Sequence, residues 1–301
     1  MRLAVPEVQT PARDPALTPD TPSAHPRETA TAPRWPARLR LTLAVVGVAC
    51  LACSSGKSPE VKRRRGPVGT LIGEVHLTPG TRMPEYLPVD MLRRPLRQSA
   101  LPPPPAECAA ANEAARHPVS VTGRGMLGGV VVAASDFTRV RERGPKVHGV
   151  VIEHCQLKPS IIAAQGGDTL AIENRDAFGF EPLIGPAYEA RSLATGKKLK
   201  LPLVAAGIDS VQCSLGAPCG RTDLLVFHHP VHAVTSELGQ FRIENFPASE
   251  LVRVTAWHPL FEPTETFVWL EPSQVTTINL QLTPKQRFVP SDAATASKPQ
   301  P

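Results

Sequence analysis

Short β-prone segments, separated by Gly and Pro turns, dominate the chain from residue 69 onward and constrain its fold more than any other feature. Residues 69–77 alternate apolar and polar side chains, as an edge strand does, and end at Pro79-Gly80. No segment has the period of an amphipathic helix. Short strands at close spacing predict an all-β chain of the sandwich or barrel type. The further predicted strands are 118–122, 129–134, 147–154, 160–164, 169–173, 198–204, 210–213, 223–228, 251–258, 265–270 and 274–282. Within 235–247, Gly239 predicts a turn before a strand that ends at Pro247.

The N-terminal residues predict an export signal. Residues 1–33 are rich in Pro, Ala and Thr and have no apolar periodicity, which is typical of disorder. Basic residues in 34–40 precede an apolar run at 41–52. This run is about a dozen residues long, whereas a membrane-spanning helix needs roughly 20. A basic flank and a short apolar core are typical of a secretory signal.

The signal ends in Cys50-Leu51-Ala52-Cys53, which resembles the lipobox of bacterial lipoproteins. The resemblance implies cleavage before Cys53 and lipidation of that cysteine. Cys50 is the weaker candidate because Gly47 precedes it by three residues. A plain signal peptide or an uncleaved anchor is the alternative. Because residue 54 is Ser and not Asp, we expect a location in the cell envelope, at the outer membrane, facing the periplasm or the cell surface.

The net charge of +6 is concentrated near this signal. Residues 54–66 contain five basic side chains against Glu60 alone, whereas 22 basic and 22 acidic side chains follow from residue 67 onward. The basic stretch is interpreted as a solvated tether that follows the lipid and touches anionic headgroups at most. The balanced remainder gives no reason to expect nucleic acid as a partner.

Four cysteines, Cys108, Cys155, Cys213 and Cys219, follow the signal. An even number in an exported chain predicts disulfides. Of the three possible connectivities, Cys108–Cys155 with Cys213–Cys219 is favoured, and the second bond closes a very short loop.

The residues from Thr235 to Trp257 have the pattern T-x-x-x-G-x-F-x-I-x-x-x-P, followed by a strand that ends in Trp-His. This stretch resembles a carboxypeptidase-regulatory-like, or transthyretin-like, β-sandwich of the carbohydrate-binding-like fold group. The resemblance implies that His258 is structural. It also makes a glycan or another envelope ligand a possible partner, for which Trp257, Trp269 and Phe261 are the candidate aromatic platform.

The residues from about Cys108 to His232 resemble a plastocyanin-like cupredoxin domain of the methylamine-utilisation type. The resemblance rests on 119–132, 153–159, 166–176 and 226–230, and it implies a Greek-key sandwich with a type-1 copper site. Such a site needs one thiolate, two imidazoles and a weak axial ligand.

The four positions that would hold copper in this family are degenerate in the sequence. They are occupied by Phe180, Cys213, Gly216 and Cys219. Both imidazoles are missing, and Cys219 can oxidise with Cys213. We therefore expect no copper and no other cofactor.

Other candidate metal ligands are weak. His228, His229 and His232 offer three imidazoles for Cu(II) or Zn(II), but consecutive residues of a strand face opposite sides. His154 beside Cys155 is a candidate zinc ligand, but a disulfide at Cys155 would prevent zinc binding there. The sequence has no nucleophile elbow, zinc-protease motif or phosphate-binding Gly loop, so we expect no enzyme.

These features predict a non-enzymatic envelope lipoprotein with a structural or interaction role. A glycan- or ligand-binding module and a copper or electron-transfer protein with a rearranged site are the alternatives. The predicted segments are a disordered extension (1–33), the signal (34–53), the tether (54–68), a strand with a Pro-rich irregular segment (69–107), the cupredoxin-like domain (108–229), the regulatory-like domain (230–283) and a disordered tail (284–301).

Overall fold

The computed structural model of the chain describes residues 66–91, 106–185, 188, 191–213 and 219–290. They all belong to one compact unit, Glu60–Pro301. Strands make up most of their regular structure, which confirms the predicted all-β class. The predicted extension, signal, most of the tether and most of the tail lie outside the described residues, as do Cys53 and Gly216.

One sandwich, which we name the host sandwich, is built from strands near both ends of the described chain. Its strands are β1 (Val68–Leu77), β4 (Val131–Ser135), β13 (His232–Val234), β14 (Gln240–Pro247), β15 (Leu251–Trp257), β16 (Phe261–Glu262), β17 (Thr264–Trp269) and β18 (Val275–Pro284). One sheet has the order β14-β1-β18-β16 and the other the order β13-β4-β15-β17. β1 is antiparallel to β14 and parallel to β18.

A second sandwich, which we name the inserted sandwich, lies between β4 and β13 in the sequence. Its strands are β5 (Val147–Glu153), β6 (Gln156–Lys158), β7 (Ile161–Gln165), β8 (Thr169–Asn174), β9 (Pro182–Ile184), β10 (Lys198–Pro202), β11 (Gly207–Cys213) and β12 (Arg221–Phe227). Its two sheets have the orders β10-β8-β5-β6 and β7-β12-β11-β9. The β5–β8 and β7–β12 pairs are parallel.

The remaining elements are short. β2 (Ser120–Val121) pairs with β3 (Leu127–Gly128), and helix α1 spans Ala106–Ala114. Single 3-10 turns occupy Pro88–Met91 and Gln286–Phe288. Among the described residues, no helix has the length and the apolar character needed to cross a membrane.

Alternating side chains explain why these segments form half-buried strands. In β1, Leu71 and Val75 are fully buried, and their neighbours along the strand are more exposed. In β8 the buried positions are Leu170, Ile172 and Asn174. Because successive side chains of a strand point to opposite faces, each of these strands covers one core. The two cores are separate clusters, one for each sandwich.

Gly239 forms the turn that the sequence predicts before β14. Its φ of 77° lies in the left-handed region, and a Cβ at this position would approach the Cβ of Met126 to 2.5 Å. Glycine is the residue that adopts this backbone at least cost.

The boundary predicted between residues 229 and 230 falls between β12 and β13, but the sheets assign the strands before β5 differently from the predicted segments. β1, predicted as an edge strand, lies between β14 and β18, and β4 pairs with β13 and β15. Strands from 69–134 therefore complete the C-terminal sandwich. The physical reason is burial, because β1 and β4 supply core residues that the sheets of β14–β18 alone would leave without a partner.

The segment predicted as irregular also contains ordered structure. Tyr86 and Met91 are buried in the host core, and α1 begins at Ala106. α1 has the sequence AECAAANEA, in which alanine has the highest helix propensity, and its Cys108 and Ala111 pack against the core of the inserted sandwich.

A small apolar layer joins the two sandwiches. Val131 from β4 packs with Ile161 and Ala163 from β7 and with Leu225 from β12. Partly buried aromatic side chains, including Trp257, surround these four residues.

Candidate functional site

Cys213 and Cys219 form a disulfide at the position that copper would occupy in the predicted family. Cys213 ends β11, and Cys219 lies two residues before β12 begins. Their Cα atoms are 5.3 Å apart, and both residues are buried. The predicted pairing is confirmed, and it leaves no thiolate at Cys213.

Phe180 lies near the end of the inserted sandwich that carries the Cys213–Cys219 disulfide. β9 pairs with β11 so that Pro182 is opposite Cys213, which brings residue 180 close to the disulfide. The side chain of Phe180 is buried in the inserted core, and its ring centroid lies 5.1 Å from that of Phe178. The resemblance assigns this buried aromatic side chain to the position of the family's first imidazole.

These residues do not fit a type-1 copper ion. A type-1 site requires a thiolate and two imidazole nitrogens. Phe180 has no donor atom, and the sulfur atoms of Cys213 and Cys219 are bonded to each other. Among the described residues, no group of three or more His, Cys, Asp or Glu side chains is arranged to hold a metal ion.

The second disulfide, Cys108–Cys155, is also confirmed. It joins α1 to the tight turn between β5 and β6, with the Cα atoms 5.1 Å apart. The carboxylate of Asp176 accepts hydrogen bonds from the backbone N–H groups of His154, at 2.7 Å, and Cys155, at 2.8 Å. His154 and Cys155 both have positive φ, so these bonds hold a turn, and the sulfur of Cys155 is not available as a zinc ligand.

The three clustered histidines do not converge on a common point. His228 is exposed. His229 lies edge-on to Phe137, with ring centroids 5.0 Å apart, and its Nδ1 accepts a hydrogen bond from the backbone N–H of Val231. His232 stacks on Phe227 with ring centroids 4.8 Å apart. Burial lowers the pKa of His232 to about 3, and the neighbouring His229 adds to this effect.

The three candidate aromatic residues are also separated. Phe261 is fully buried in the host core, and Trp257 lies partly buried beside the layer between the sandwiches. Trp269 is 54% exposed on β17, an edge strand of its sheet within the described residues. Phe267, which the sequence analysis did not single out, lies on the same face two residues earlier and is 59% exposed.

His258 is fully buried and serves the host sandwich. Its Nδ1 accepts a hydrogen bond from the backbone N–H of Leu260 at 3.2 Å, and its ring lies edge-on to Phe261. Burial lowers the pKa of His258 to about 3, so the ring is neutral at pH 7.

Two buried ionic clusters have no local sequence signal that would predict them. In the first, Asp223 accepts hydrogen bonds from the hydroxyl of Tyr86 and from the guanidinium of Arg221. In the second, the carboxylate of Asp168 accepts both arms of Arg143, at 2.7 and 2.6 Å. Both clusters join residues from segments that are distant in the sequence, so only the folded chain brings them together.

Asp168 receives three further hydrogen bonds. The backbone N–H groups of Lys146 and Gln165 each donate at 2.8 Å, and Nε2 of His148 lies 2.8 Å away. Burial opposes ionisation of Asp168. The hydrogen bonds to its carboxylate, the one from Arg143 above all, outweigh this effect and hold the pKa of Asp168 well below its usual range. Asp168 therefore fixes the residues that lead into β5.

Solved copper-protein folds are similar to part of this chain. A purple cupredoxin from Nitrosopumilus maritimus is 15% identical, with 26% of this chain and 97% of that chain covered and a TM-score of 0.24. An amicyanin from Paracoccus versutus is 14% identical, with 29% and 84% covered and a TM-score of 0.24. For a copper-containing nitrite reductase from Thermus scotoductus SA-01 the identity is 14%, the coverage 31% and 24%, and the TM-score 0.24. At these identities the likeness concerns the fold alone.

No protein-family model matches the sequence, and the search of curated proteins finds no match.

Proposed function

We propose that the inserted sandwich is a cupredoxin-like domain whose copper site has been replaced by a disulfide, in a non-enzymatic protein of the cell envelope with a structural or interaction role. The Cys213–Cys219 disulfide carries this proposal. It occupies the position of the family's one thiolate ligand, and Phe180 takes the position of an imidazole ligand with apolar atoms.

The chemistry of the disulfide supports a structural role. A disulfide sulfur lacks the negative charge of the thiolate that binds copper. The bond closes the hairpin between β11 and β12, which contributes two of the four strands of its sheet. The disulfide therefore stabilises the same loop that would otherwise bind the metal.

The anchor belongs to the same proposal. The signal at 34–53 exports the chain, Cys53 receives the lipid, and the basic tether spaces the two sandwiches from the membrane. Residue 54 is Ser and not the Asp that retains lipoproteins at the inner membrane, so the protein reaches the outer membrane, where it faces the periplasm or the cell surface. Disulfides persist in such oxidising compartments, which is consistent with two of them in the described residues.

Thiol counting with metal analysis tests the loss of copper. The full chain is purified in a non-ionic detergent, labelled with iodoacetamide under denaturing conditions and mapped by peptide mass spectrometry before and after reduction. We expect Cys213 and Cys219 to be labelled only after reduction, with no stoichiometric copper bound after incubation with Cu(II). A free Cys213 together with one copper per chain would establish the rearranged copper site instead.

Metabolic labelling with an alkyne fatty acid tests the anchor. We expect the wild-type chain and Cys50→Ala to be labelled and found in the membrane fraction, and Cys53→Ala to be unlabelled. Equal labelling of Cys53→Ala would contradict the proposed lipid site, and loss of label only in Cys50→Ala would move it to Cys50.

The exposed pair Phe267 and Trp269 favours glycan binding as a second candidate function. Leu251 lies opposite Trp269 in the neighbouring strand, and it is also exposed. Flat aromatic faces on an open sheet can stack on sugar rings. Titration with chitohexaose and cellohexaose, followed by tryptophan fluorescence, tests this candidate. We expect saturable quenching that Trp269→Ala abolishes and Leu238→Ala, at another exposed position, retains. A flat titration with both sugars would rule out this candidate.

A further inference from the structure

A cleft of about 740 Å³ lies between the two sandwiches, on a side of their interface that no predicted site residue except His232 reaches. It is lined by the connection between β4 and β5, by His148 of β5, by Ala163 of β7, by β13 with the residues just before it, and by β14. Both sandwiches thus contribute walls. A volume of several hundred Å³ is the size of cleft that holds a small-molecule ligand.

Cationic side chains outnumber carboxylates along this cleft. The lining contains Arg141, Arg143, Lys146 and Arg242, against Glu142 and Glu244. The guanidinium of Arg143 is committed to the buried Asp168, and that of Arg242 pairs with Glu244 at 3.2 Å. These two arginines are therefore neutralised within the protein.

Arg141 and Lys146, unlike these two arginines, are not paired with a carboxylate among the described residues. Arg141 donates a hydrogen bond to the side-chain oxygen of Asn245 at 3.2 Å, and this partner is uncharged. Across the described part of the chain, neither Arg141 nor Lys146 has a carboxylate within ion-pair distance. Both are exposed, so their positive charges face the open cleft.

The backbone that carries these two cations is held in place. The N–H of Lys146 donates to Asp168, and Arg143 is bound to the same carboxylate through both arms. Arg141 is tied to Asn245, at the other wall of the cleft. A fixed backbone lowers the entropic cost of bringing these two side chains to an anion.

One residue of the cleft lining carries an unpartnered buried atom. His232 belongs to the lining, and its Nε2 is buried without a hydrogen-bond partner within the described residues. An unpartnered buried nitrogen is costly in a folded protein unless a ligand or water completes it.

We propose that this cleft is a binding site for an anionic small molecule or glycan unit that carries phosphate or carboxylate groups, with Arg141 and Lys146 as its contacts. The planar guanidinium of Arg141 matches the oxygen pairs of either group, and the ammonium of Lys146 adds a point charge. The site does not depend on the lipid anchor or on the fate of the copper site.

Isothermal titration calorimetry on the full chain in a non-ionic detergent tests the proposal. The probes are pyrophosphate, for the phosphate class, and citrate, for the carboxylate class, with glycerol as the uncharged reference. We expect at least one of the two anions to bind with one site per chain, and glycerol to show no binding. Whichever anion binds more tightly identifies the chemical class of the ligand.

Arg141→Gln/Lys146→Gln is the test variant, and Lys197→Gln/Lys200→Gln is the control with the same loss of charge at exposed positions of the inserted sandwich. We expect the test variant to weaken the binding of the anion by about tenfold or more, which corresponds to two charge-assisted contacts, and the control to stay within about twofold. Absence of binding by both anions to the wild-type chain, or an equal loss in the control, would overturn the proposal.

Discussion

The hydroxyl of Tyr86 donates a hydrogen bond to the carboxylate of Asp223, although Tyr86 packs in the core of the host sandwich and Asp223 lies in β12 of the inserted one. Arg221 completes this cluster. Its guanidinium binds Asp223 at 2.8 Å and lies 4.7 Å from the centre of the Tyr86 ring. It also donates to the backbone oxygen of Asp90 at 3.0 Å, as Gln212 does at 2.8 Å. The segment that was predicted to be irregular therefore attaches one sandwich to the other.

We expect Tyr86→Phe to destabilise the protein by about 1–3 kcal/mol, because the variant removes a hydrogen bond from a buried carboxylate and keeps the ring. Urea denaturation followed by circular dichroism measures this loss. Tyr188→Phe is the matched control, because Tyr188 is the other tyrosine of the chain and its hydroxyl donates to the more exposed backbone oxygen of Pro202. We expect this control to change stability by no more than about 0.5 kcal/mol. Equal losses in both variants would contradict the role given to Tyr86.

The same contact gives the stability of the protein an alkaline limit. Burial, followed by the charge of Asp223, raises the pKa of Tyr86 above its ordinary value near 10. A raised pKa stabilises the fold below the unfolded value, and this contribution is lost as the pH rises through the folded value. At about pH 11 we expect less tyrosinate absorbance from the folded chain than from the chain unfolded in urea. Equal absorbance would show that Tyr86 is accessible to solvent.

Asp168→Asn should destabilise the protein by about 3 kcal/mol or more, because the amide places a donor against groups that donate to Asp168 and leaves Arg143 without its partner. The pKa of Asp168 is depressed, so its contribution is present above about pH 4 and is lost as the pH falls below that value. The difference in the free energy of unfolding between wild type and variant should therefore be smaller at pH 3 than at pH 7, as measured by urea denaturation. For Glu173→Gln, at a partly exposed surface ion pair with Lys198, we expect little measurable effect at either pH.

His258→Asn should reduce the acid sensitivity of the protein. Burial holds the pKa of His258 near 3, so the neutral ring stabilises the fold above about pH 6.5, and this contribution declines as the pH falls toward 3. Asn preserves an acceptor for the N–H of Leu260 and cannot become charged. The variant should be less stable than wild type at pH 7, but its stability should fall less between pH 7 and pH 5. An unchanged fall would assign the acid sensitivity to other groups.

The two disulfides should contribute unequally to the stability of the protein. Cys108 and Cys155 are 47 residues apart, whereas Cys213 and Cys219 are 6 apart. The entropy of loop closure in the unfolded chain predicts a loss of about 4 kcal/mol for the Ser double variant of the first pair and roughly 2 kcal/mol for that of the second. Thermal and urea unfolding of the two variants measure the order. A larger loss at the short loop would show that local packing outweighs chain entropy there.

The fold class and most strands could be predicted because they follow from local sequence patterns. The alternation in β1 and β8, the Gly239 turn and both disulfide pairings all agree with the structure. Local patterns report which face of a strand is buried, and they do not report which strand lies beside it. The predicted edge position of β1 was therefore wrong, since its neighbour β18 pairs Val275 with Thr70 across most of the chain.

The candidate site was predicted only in part for the same reason. The cysteines could be paired from their number and spacing, and the family resemblance pointed to Phe180. By contrast, Arg141, Lys146 and Asn245 form two walls of one cleft that exists only after both sandwiches have packed together. No spacing in the sequence signals that arrangement. The Tyr86–Asp223 contact and the Asp168 cluster have no sequence signal either.

The parallel pairing of β1 with β18 constrains the order in which the chain can fold. All strands of the inserted sandwich precede β14 and β18 in the sequence, so this sandwich can complete its sheets before the two neighbours of β1 are in place. The chain leaves the host sandwich at β4 and returns at β13, and these strands are paired, with Ala133 opposite His232. An early-folded insert therefore holds the two halves of its host close together, and it shortens the loop that must close before the last strand joins the first.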